Sequence, residues 1–591
     1  EILDWFAGAN YGKVIDCNFT NTHAARSAGA IYYDGDNGEM RNIIIKNTTA
    51  YGGARNESED GKVKYACWDL SHWDTNTTGG DGGAMMFTGD HITVYNVSFT
   101  DCTAAGRGGA IFVQDNHNVT IDSCTFENNH ALGIANNTYN DPHDPSSGIN
   151  HNLTGHGGAI AFDTGATESS IINSIFNNNT AKLYGGAVHF REGASEDKVI
   201  NSTFNNNYAS EDGGALFIDG DQCELHDSTF NHNYVGDDGG AIYWHGQGGI
   251  INNINCTNNT GISSHGNSKG GTICLTGNDI SLSNSRFEDS YAKVTGGAMF
   301  VTGNNVNITG TSFKNCNVSN STGGALQLLG NNTQVRDCTF EDCHAEAGSA
   351  IYTEGNYVKV INSKFTSNNV TGDGGAVYVF GDYSELHNST FISNSAGDDG
   401  GAIYWEGSHG IIYNITCENN NGISFNDSNS KGGTICLTGE DISISSSSFK
   451  TSSAGDDGGA IFISGNNVDI IGSDFEACNS SSEGGAIYVL GDDATISDCT
   501  FENCNATQGG AIYVEGHGAT ISAEITDTHA TGASSYGISI DNKLYKDNIK
   551  EIKYDIIDSI GLVATINGGN ISIETIADLN ATLYGLYNAN L

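Results

Sequence analysis

Carboxylates recur at one place along this sequence, immediately before a pair of glycines: Glu211-Asp212, Asp237-Asp238, Asp373, Asp398-Asp399, Asp456-Asp457 and Glu483. Acids stacked about 5 Å apart repel one another unless water, a basic side chain or a hard cation such as calcium stands between them. Asp212, Asp237, Asp238, Asp373, Asp398, Asp399, Asp456 and Asp457 are therefore candidate calcium ligands. The competing reading is a solvated acidic corner with local ion pairs, because Lys269 follows Asp238 and Lys431 follows Asp399 in the same column. No cofactor is required by the sequence, and calcium is the one it suggests.

Other residue types offer binding chemistry. Trp68 and Trp73 share one irregular stretch, about 54–80, and His143 lies in another, about 130–156, with His151 and His156. Their spacings match no zinc motif. Tyr378 and Tyr404 belong to a recurring aromatic position that also holds Tyr32, Phe112, Phe217 and Tyr243. An exposed stripe of such rings suits sugar or protein binding, whereas rings stacked on one another serve stability. Cys316 with Cys343, and Cys478 with Cys504, recur in one column at a spacing that falls inside the disulfide range; they would serve equally well as small buried apolar residues. About two dozen Asn-x-Ser/Thr sequons occur, and Asn96, Asn201, Asn307, Asn388, Asn414 and Asn505 are candidate glycosylation sites.

The elements that must position these groups follow from one signature. Gly-Gly-Ala with an apolar residue after it returns at Gly82, Gly108, Gly157, Gly185, Gly213, Gly239, Gly296 and onward to Gly509, most often at an interval of about 26 residues. The first and third residues after Ala are apolar and point inward by the two-residue strand period, with the variable position between them pointing outward. A second apolar pair follows, then a polar corner, then Ser-x-Phe or Thr-Phe, as at Phe204, Phe230, Phe340 and Phe391. Stacked turn on turn, those rings form an internal column. Three residues past Phe stands Asn (129, 179, 207, 233, 368, 394) or Cys, and stacked amides there can bond one another and the corner backbone.

No window carries a glycine-free helical stripe, and the interval is too short for a propeller blade. The fold class is all-β: a single-chain parallel β-helix of about 17 rungs, with adjacent rungs about 4.8 Å apart. Residues 1–525 form the repeat domain, and 526–591 a C-terminal cap or the start of a following domain. A six-rung block is duplicated, 213–352 onto 374–513, including its Lys-Gly-Gly-Thr-Ile-Cys-Leu-Thr-Gly rung at Lys269 and again at Lys431.

The formal charge is −46, from 70 acidic and 24 basic residues. A field of that sign repels nucleic acid and anionic lipid. No apolar run reaches a membrane span, so membrane attachment would come only through an anchor outside this chain.

The pairing of Gly-Gly-Ala-[Ile/Leu/Val] with Phe-x-x-Asn, over about residues 20–525, resembles the polymorphic outer-membrane protein repeats of chlamydial autotransporter adhesins. The Asn-rich, sequon-rich style is similar to the adhesin-like surface proteins of gut methanogenic archaea. The resemblance implies a right-handed β-helix displayed outside the cell. It departs from the pattern where Cys or Ser replaces Asn and where two rungs carry Gly-Gly-Thr.

Three functions follow as expectations. The first is an extracellular, non-catalytic adhesin module that attaches to surface glycans or proteins of another cell. The second is a structural stalk or fibre subunit that self-associates. The third is a polysaccharide lyase or glycoside hydrolase, against which stand the scarcity of Arg and the regular recurrence of the acids with no specialised rung.

Overall fold

Most turns are built from strands only two or three residues long, joined by corners that ordinary backbone avoids; in a few, such as Glu39–Lys46 and Thr93–Thr100, the second-sheet strands run together. In the turn that begins at Gly374 the strands are Val377–Val379, then Glu385–His387 and Thr390–Ile392, then Ser395–Ala396. The corners between them fall on Tyr383, Asn388 and Ser393, all left-handed with φ between 51° and 55°. Asn and Asp tolerate that conformation better than other side chains bearing a Cβ. Equivalent corners elsewhere hold Asn96, Asn201, Asn253 and Asn414, so the abundance of Asn answers a backbone need.

We describe a computed structural model covering residues 3–5, 10–24, 27–51, 55–57, 63–65, 80–133, 155–262, 268–319, 321–422, 429–526, 528–531, 538–540, 551–556, 562–567 and 570–575. Among these residues every regular element is a strand. The chain divides into two units, Glu1–Val306 and Asn307–Leu591.

In the first unit, strands that follow Gly-Gly-Ala stack in parallel as the first sheet: Leu216 pairs with Ile242 and Ile242 with Ile273. Its second sheet takes two strands per turn, such as Glu224–His226 and Thr229–Asn231, and its third takes short strands such as Tyr234–Val235. The second unit repeats the scheme, Val377 pairing with Ile403 and Phe391 with Cys417. Its last described strands change sense. Glu551–Ile556 runs parallel to Thr520–Thr526, and Leu562–Asn567 and Asn570–Thr575 then add antiparallel strands.

The interior consists of like-on-like columns. Phe99, Phe126, Phe176, Phe204 and Phe230 stack at 4.7–4.8 Å with rings within 3° of parallel. Phe340, Phe365 and Phe391 stack in the second unit at 4.9 and 4.6 Å with rings within 5° of parallel. Beside them the expected amide ladder is present. Asn394 is fully buried; its Nδ2 donates to Asn420 Oδ1 at 3.0 Å and Phe365 O at 3.1 Å, and its Oδ1 accepts from Asn368 Nδ2 at 3.0 Å. At the next corner Ser389 Oγ donates to His387 O at 2.8 Å and accepts the Ser363 N–H at 3.1 Å. Burying these groups without partners would cost about 1–3 kcal/mol each, so the ladders specify the turn-to-turn register.

The two glycines of the signature differ in their reasons. Gly374 sits at φ +66°, and a Cβ on Gly375 would lie 2.0 Å from the Gly401 carbonyl oxygen of the next turn. Gly472, at φ +58°, has nothing within 4 Å of its would-be Cβ. Gly472→Ala should therefore cost only the left-handed conformation, about 1–2 kcal/mol, whereas Gly375→Ala must push turns apart and should exceed about 3 kcal/mol. Urea denaturation of both variants checks this; equal midpoints would contradict it.

Candidate functional site

The corner before Gly-Gly carries the acids, and its geometry shows what they do. Asp373 Oδ1 accepts the Asp399 N–H at 3.0 Å, Asp399 Oδ1 the Lys431 N–H at 2.7 Å, and Asp457 Oδ1 the Glu483 N–H at 3.2 Å. In the first unit Asp212 Oδ1 accepts the Asp238 N–H at 3.0 Å and Asp238 Oδ1 the Lys269 N–H at 2.8 Å. Each carboxylate thus holds the corner of the following turn through one oxygen. Of the eight aspartates put forward as calcium ligands, the structure brings Asp373, Asp398 and Asp399 together, with one ligand oxygen from each inside a 4.8 Å span.

This position is costly for charge. Burial, followed by the neighbouring Asp237, lifts Asp238 to about 7. Burial, with Asp398 and Asp373 adding to it, lifts Asp399 to about 7. Burial and then Asp456 lift Asp457 to about 6. Asp212 and Asp373 are raised for the same first reason.

Where the same column holds a cation, the charge lies over a ring, that of its own Gly-Gly-Ala strand for Arg107 and that of the next turn for Lys269 and Lys431. Arg107 Cζ is 4.3 Å from the Phe112 centroid, Lys269 Nζ 5.2 Å from Phe300 and Lys431 Nζ 4.7 Å from Phe462. Arg107 also donates to Asp81 Oδ2 at 3.0 Å and Asp163 Oδ2 at 2.8 Å, and Asp163 pairs with Arg191. This network, in which Asp163 is held below its usual value despite its burial by the two guanidiniums, was not read from the sequence. Its only signal was the rarity of Arg in an acidic chain.

The outward position of the first-sheet strand is consequently covered over much of its length. Phe112 is buried, as are His189, Phe217, Phe462 and Tyr488. Tyr378 and Tyr404 are half-buried and stack, Tyr352 to Tyr378 at 4.8 Å and Tyr378 to Tyr404 at 4.7 Å, and the Tyr378 hydroxyl donates to Glu406 Oε2 at 2.8 Å. Rings stacked this way spend their faces on each other and present edges outward.

Trp68, Trp73 and His143 lie outside the described residues. His156, at the end of the same irregular stretch, is buried and stacks on His189 at 4.8 Å. Asn96, Asn201, Asn307, Asn388 and Asn414 are exposed, and Asn505 is half-buried. Asn96, Asn201, Asn388 and Asn414 occupy left-handed corners, and Asn414 Nδ2 donates to Asn388 Oδ1 at 2.8 Å. Cys316, Cys343, Cys478 and Cys504 are thiols here, not disulfide bridges, and all four are buried. Cys478 Sγ lies 3.6 Å from both Phe449 O and Glu476 O, and burial, with Cys504 adding to it, raises its thiol well above the usual value. A column of small buried residues accounts for them.

One organisational feature joins these observations. Segments 134–154 and 263–267 in the first unit each fall between a third-sheet strand and the next Gly-Gly pair, and the stretch 52–79, which itself starts with Gly52-Gly53 and carries the paired strands Arg55–Glu57 and Val63–Tyr65, falls between Thr49–Ala50 and Gly82. Segment 423–428 occupies the same position in the second unit. The repeat therefore admits its insertions at the corner that carries the acids.

Family models match at two levels. The right-handed β-helix region matches residues 214–391, which supplies the handedness, and the Chlamydia polymorphic membrane protein repeat matches residues 173–191, 201–219 and 388–404. No curated protein matches the chain. Among solved structures the chain is similar to PfbA, a surface adhesin of Streptococcus pneumoniae, at 11% identity over 66% of this chain and 91% of that one, with a TM-score of 0.28.

A carboxyl whose folded value lies above its unfolded one is neutral for stability below about pH 4. Its ionisation opposes folding increasingly as the pH rises to the folded value, by about 1.4 kcal/mol for each pH unit that separates the two. Asp399→Asn keeps the oxygen that accepts the Lys431 N–H and removes the charge. It should leave the melting temperature unchanged at pH 4 and raise it by several degrees at pH 8. A pH-independent effect in a thermal melt series would contradict the assignment.

Proposed function

We propose that this chain is the display portion of a cell-surface adhesin: a non-catalytic β-helix that holds binding segments outside the cell. The observation that carries the reading is the placement of the insertions. The turns use their own polar groups in ladders, as at Asn394 and Asp399, and the additions to the repeat enter at one corner. Surface loops can vary there without disturbing the stacked core. The matches to the Chlamydia polymorphic membrane protein repeat support a surface location.

Within this reading calcium is accessory. The triad Asp373, Asp398 and Asp399 is where an ion would neutralise the acidic corner, and chelation would then lower thermal stability. A melting temperature unaffected by either calcium or a chelator would remove that element and leave the adhesin reading intact.

Attachment is tested with the purified chain and a deletion of residues 134–154. The intact chain, immobilised on beads, should retain cells of another species, and the deletion should reduce retention at least tenfold while its circular dichroism and melting stay unchanged. Retention equal to that of bare beads, or an undiminished signal in the deletion, would overturn the reading.

A further inference from the structure

The inner columns stack like on like, but the outer positions of the second sheet carry mixed side chains from turn to turn, and in the second unit one of them sets an aromatic ring beside a serine. On the outer face of the second sheet, Tyr413 is aligned with Ser445 and Ser445 with Ile471; alongside, Ile411 is aligned with Ser443 and Ser443 with Asp469. Two serines thus sit between larger residues on either side. Ile411 is 43% exposed, Tyr413 44% and Ile471 39%. On the side of the preceding turn, Tyr413 meets His387 edge-on at 6.0 Å. On the side of the following turn stands Ser445, too small to cover an aromatic ring.

A cavity of about 470 Å³ opens beside these positions, lined by Asp441, Ile442, Ser443, Asn467, Asp469 and Asp493. That volume is in the range of small-ligand sites, about 300–1,000 Å³. Asn467 Nδ2 donates to Asp441 Oδ1 at 3.1 Å, and His409 Nε2 lies 3.4 Å from Asp441 Oδ2, so Asp441 is fixed from two sides. The Asp469 carboxylate has no side-chain partner among the described residues, while its N–H is used by Ile442 O. The site therefore offers oriented acceptors on a polar floor, and on the same sheet face Ile411 is aligned with its lining residue Ser443, with Tyr413 and Ile471 aligned with Ser445 two residues further along the strand.

The duplicated copy in the first unit lacks these features. The position of Tyr413 is held there by Asn252, whose Nδ2 donates to Ser283 Oγ at 2.7 Å and fills the space over the serine. The sequence positions matching Asp469 and Asp493 are Asn307 and Asn332. Two copies that share their buried pattern thus differ at this surface.

Resting on the adhesin reading, we propose that the notch around Ser443 and Ser445 is a saccharide-binding site for neutral or cationic, hydroxyl-rich glycans. An aromatic ring accepts the C–H face of a pyranose, and carboxylate and amide oxygens accept its hydroxyl or ammonium hydrogens. Three aspartates in a chain of net charge −46 disfavour uronic or sialic acids by like-charge repulsion.

The test is calorimetric titration of the whole chain with three tetrasaccharides: β-1,4-linked N-acetylglucosamine, its deacetylated cationic form, and galacturonate. The neutral and cationic probes should bind with submillimolar affinity and galacturonate at least tenfold more weakly. Ser443→Trp, which fills the notch, should abolish binding; Tyr413→Ala should weaken it about tenfold. Asp469→Asn should weaken the cationic probe more than the neutral one, and Asn252→Ala in the first unit should change nothing. Failure of both favoured probes, equal binding of galacturonate, or binding that survives Ser443→Trp would each overturn the proposal. Cell retention separates it from the wider reading. Retention insensitive to Ser443→Trp refutes the notch alone, and saccharide binding without cell retention refutes the adhesin alone.

Discussion

The turns bond to their neighbours in register, mostly through strands of two or three residues, so whatever a turn places at one position meets the group at the same position on the next. Several side chains fill such columns by pairing with a copy of themselves. Phenylalanine does so by stacking, as from Phe99 to Phe230. Asparagine does so because an amide is both donor and acceptor, which is why Asn368, Asn394 and Asn420 form a fully buried ladder. A carboxylate cannot, since it only accepts.

The acidic corner is the exception that follows from the same rule. Asp373 and Asp399 are tolerated because each gives one oxygen to a backbone N–H of the next turn, which partly offsets the burial and neighbouring acids that raise the proton affinity of Asp399. Arg107, Lys269 and Lys431 appear in that column where charge is offset and where a ring can lie beneath it. Insertions enter at this corner, beyond the short strands of the third sheet. The outer positions of the second sheet carry no such like-on-like order, as at the step from Tyr413 to Ser445.

Much of the turn was legible in the amino-acid order, and particular residues show where legibility stopped. The period, the inward pair Val377 and Val379, the Phe column and the amide ladder at Asn394 all follow from apolar spacing and the need to satisfy a buried corner. The role of Asn201 and Asn388 was hidden, because a left-handed corner and a glycosylation sequon share the same letters. Asp399 reads in sequence as a free acid; its bond to the Lys431 N–H depends on a turn-to-turn register that spacing alone does not fix. Tyr378 and Tyr404 were legible as a recurring stripe, whereas their mutual stacking required the structure. The notch depends on lateral neighbours, Ser443 beside Ile411 and Asp469, that lie 32 and 26 residues apart in the chain.

The central claim is that axial self-pairing of side chains, more than strand length, holds the turns together. Residue-resolved hydrogen–deuterium exchange on Asn394→Asp tests it most directly, since this change keeps the shape but exchanges the amide donor for a carboxylate, which only accepts and is charged at pH 7. The account requires the Asn368, Asn394 and Asn420 amides to lose protection by at least a hundredfold at pH 7, while Asp399→Asn leaves them slow. Unchanged protection in Asn394→Asp would contradict it.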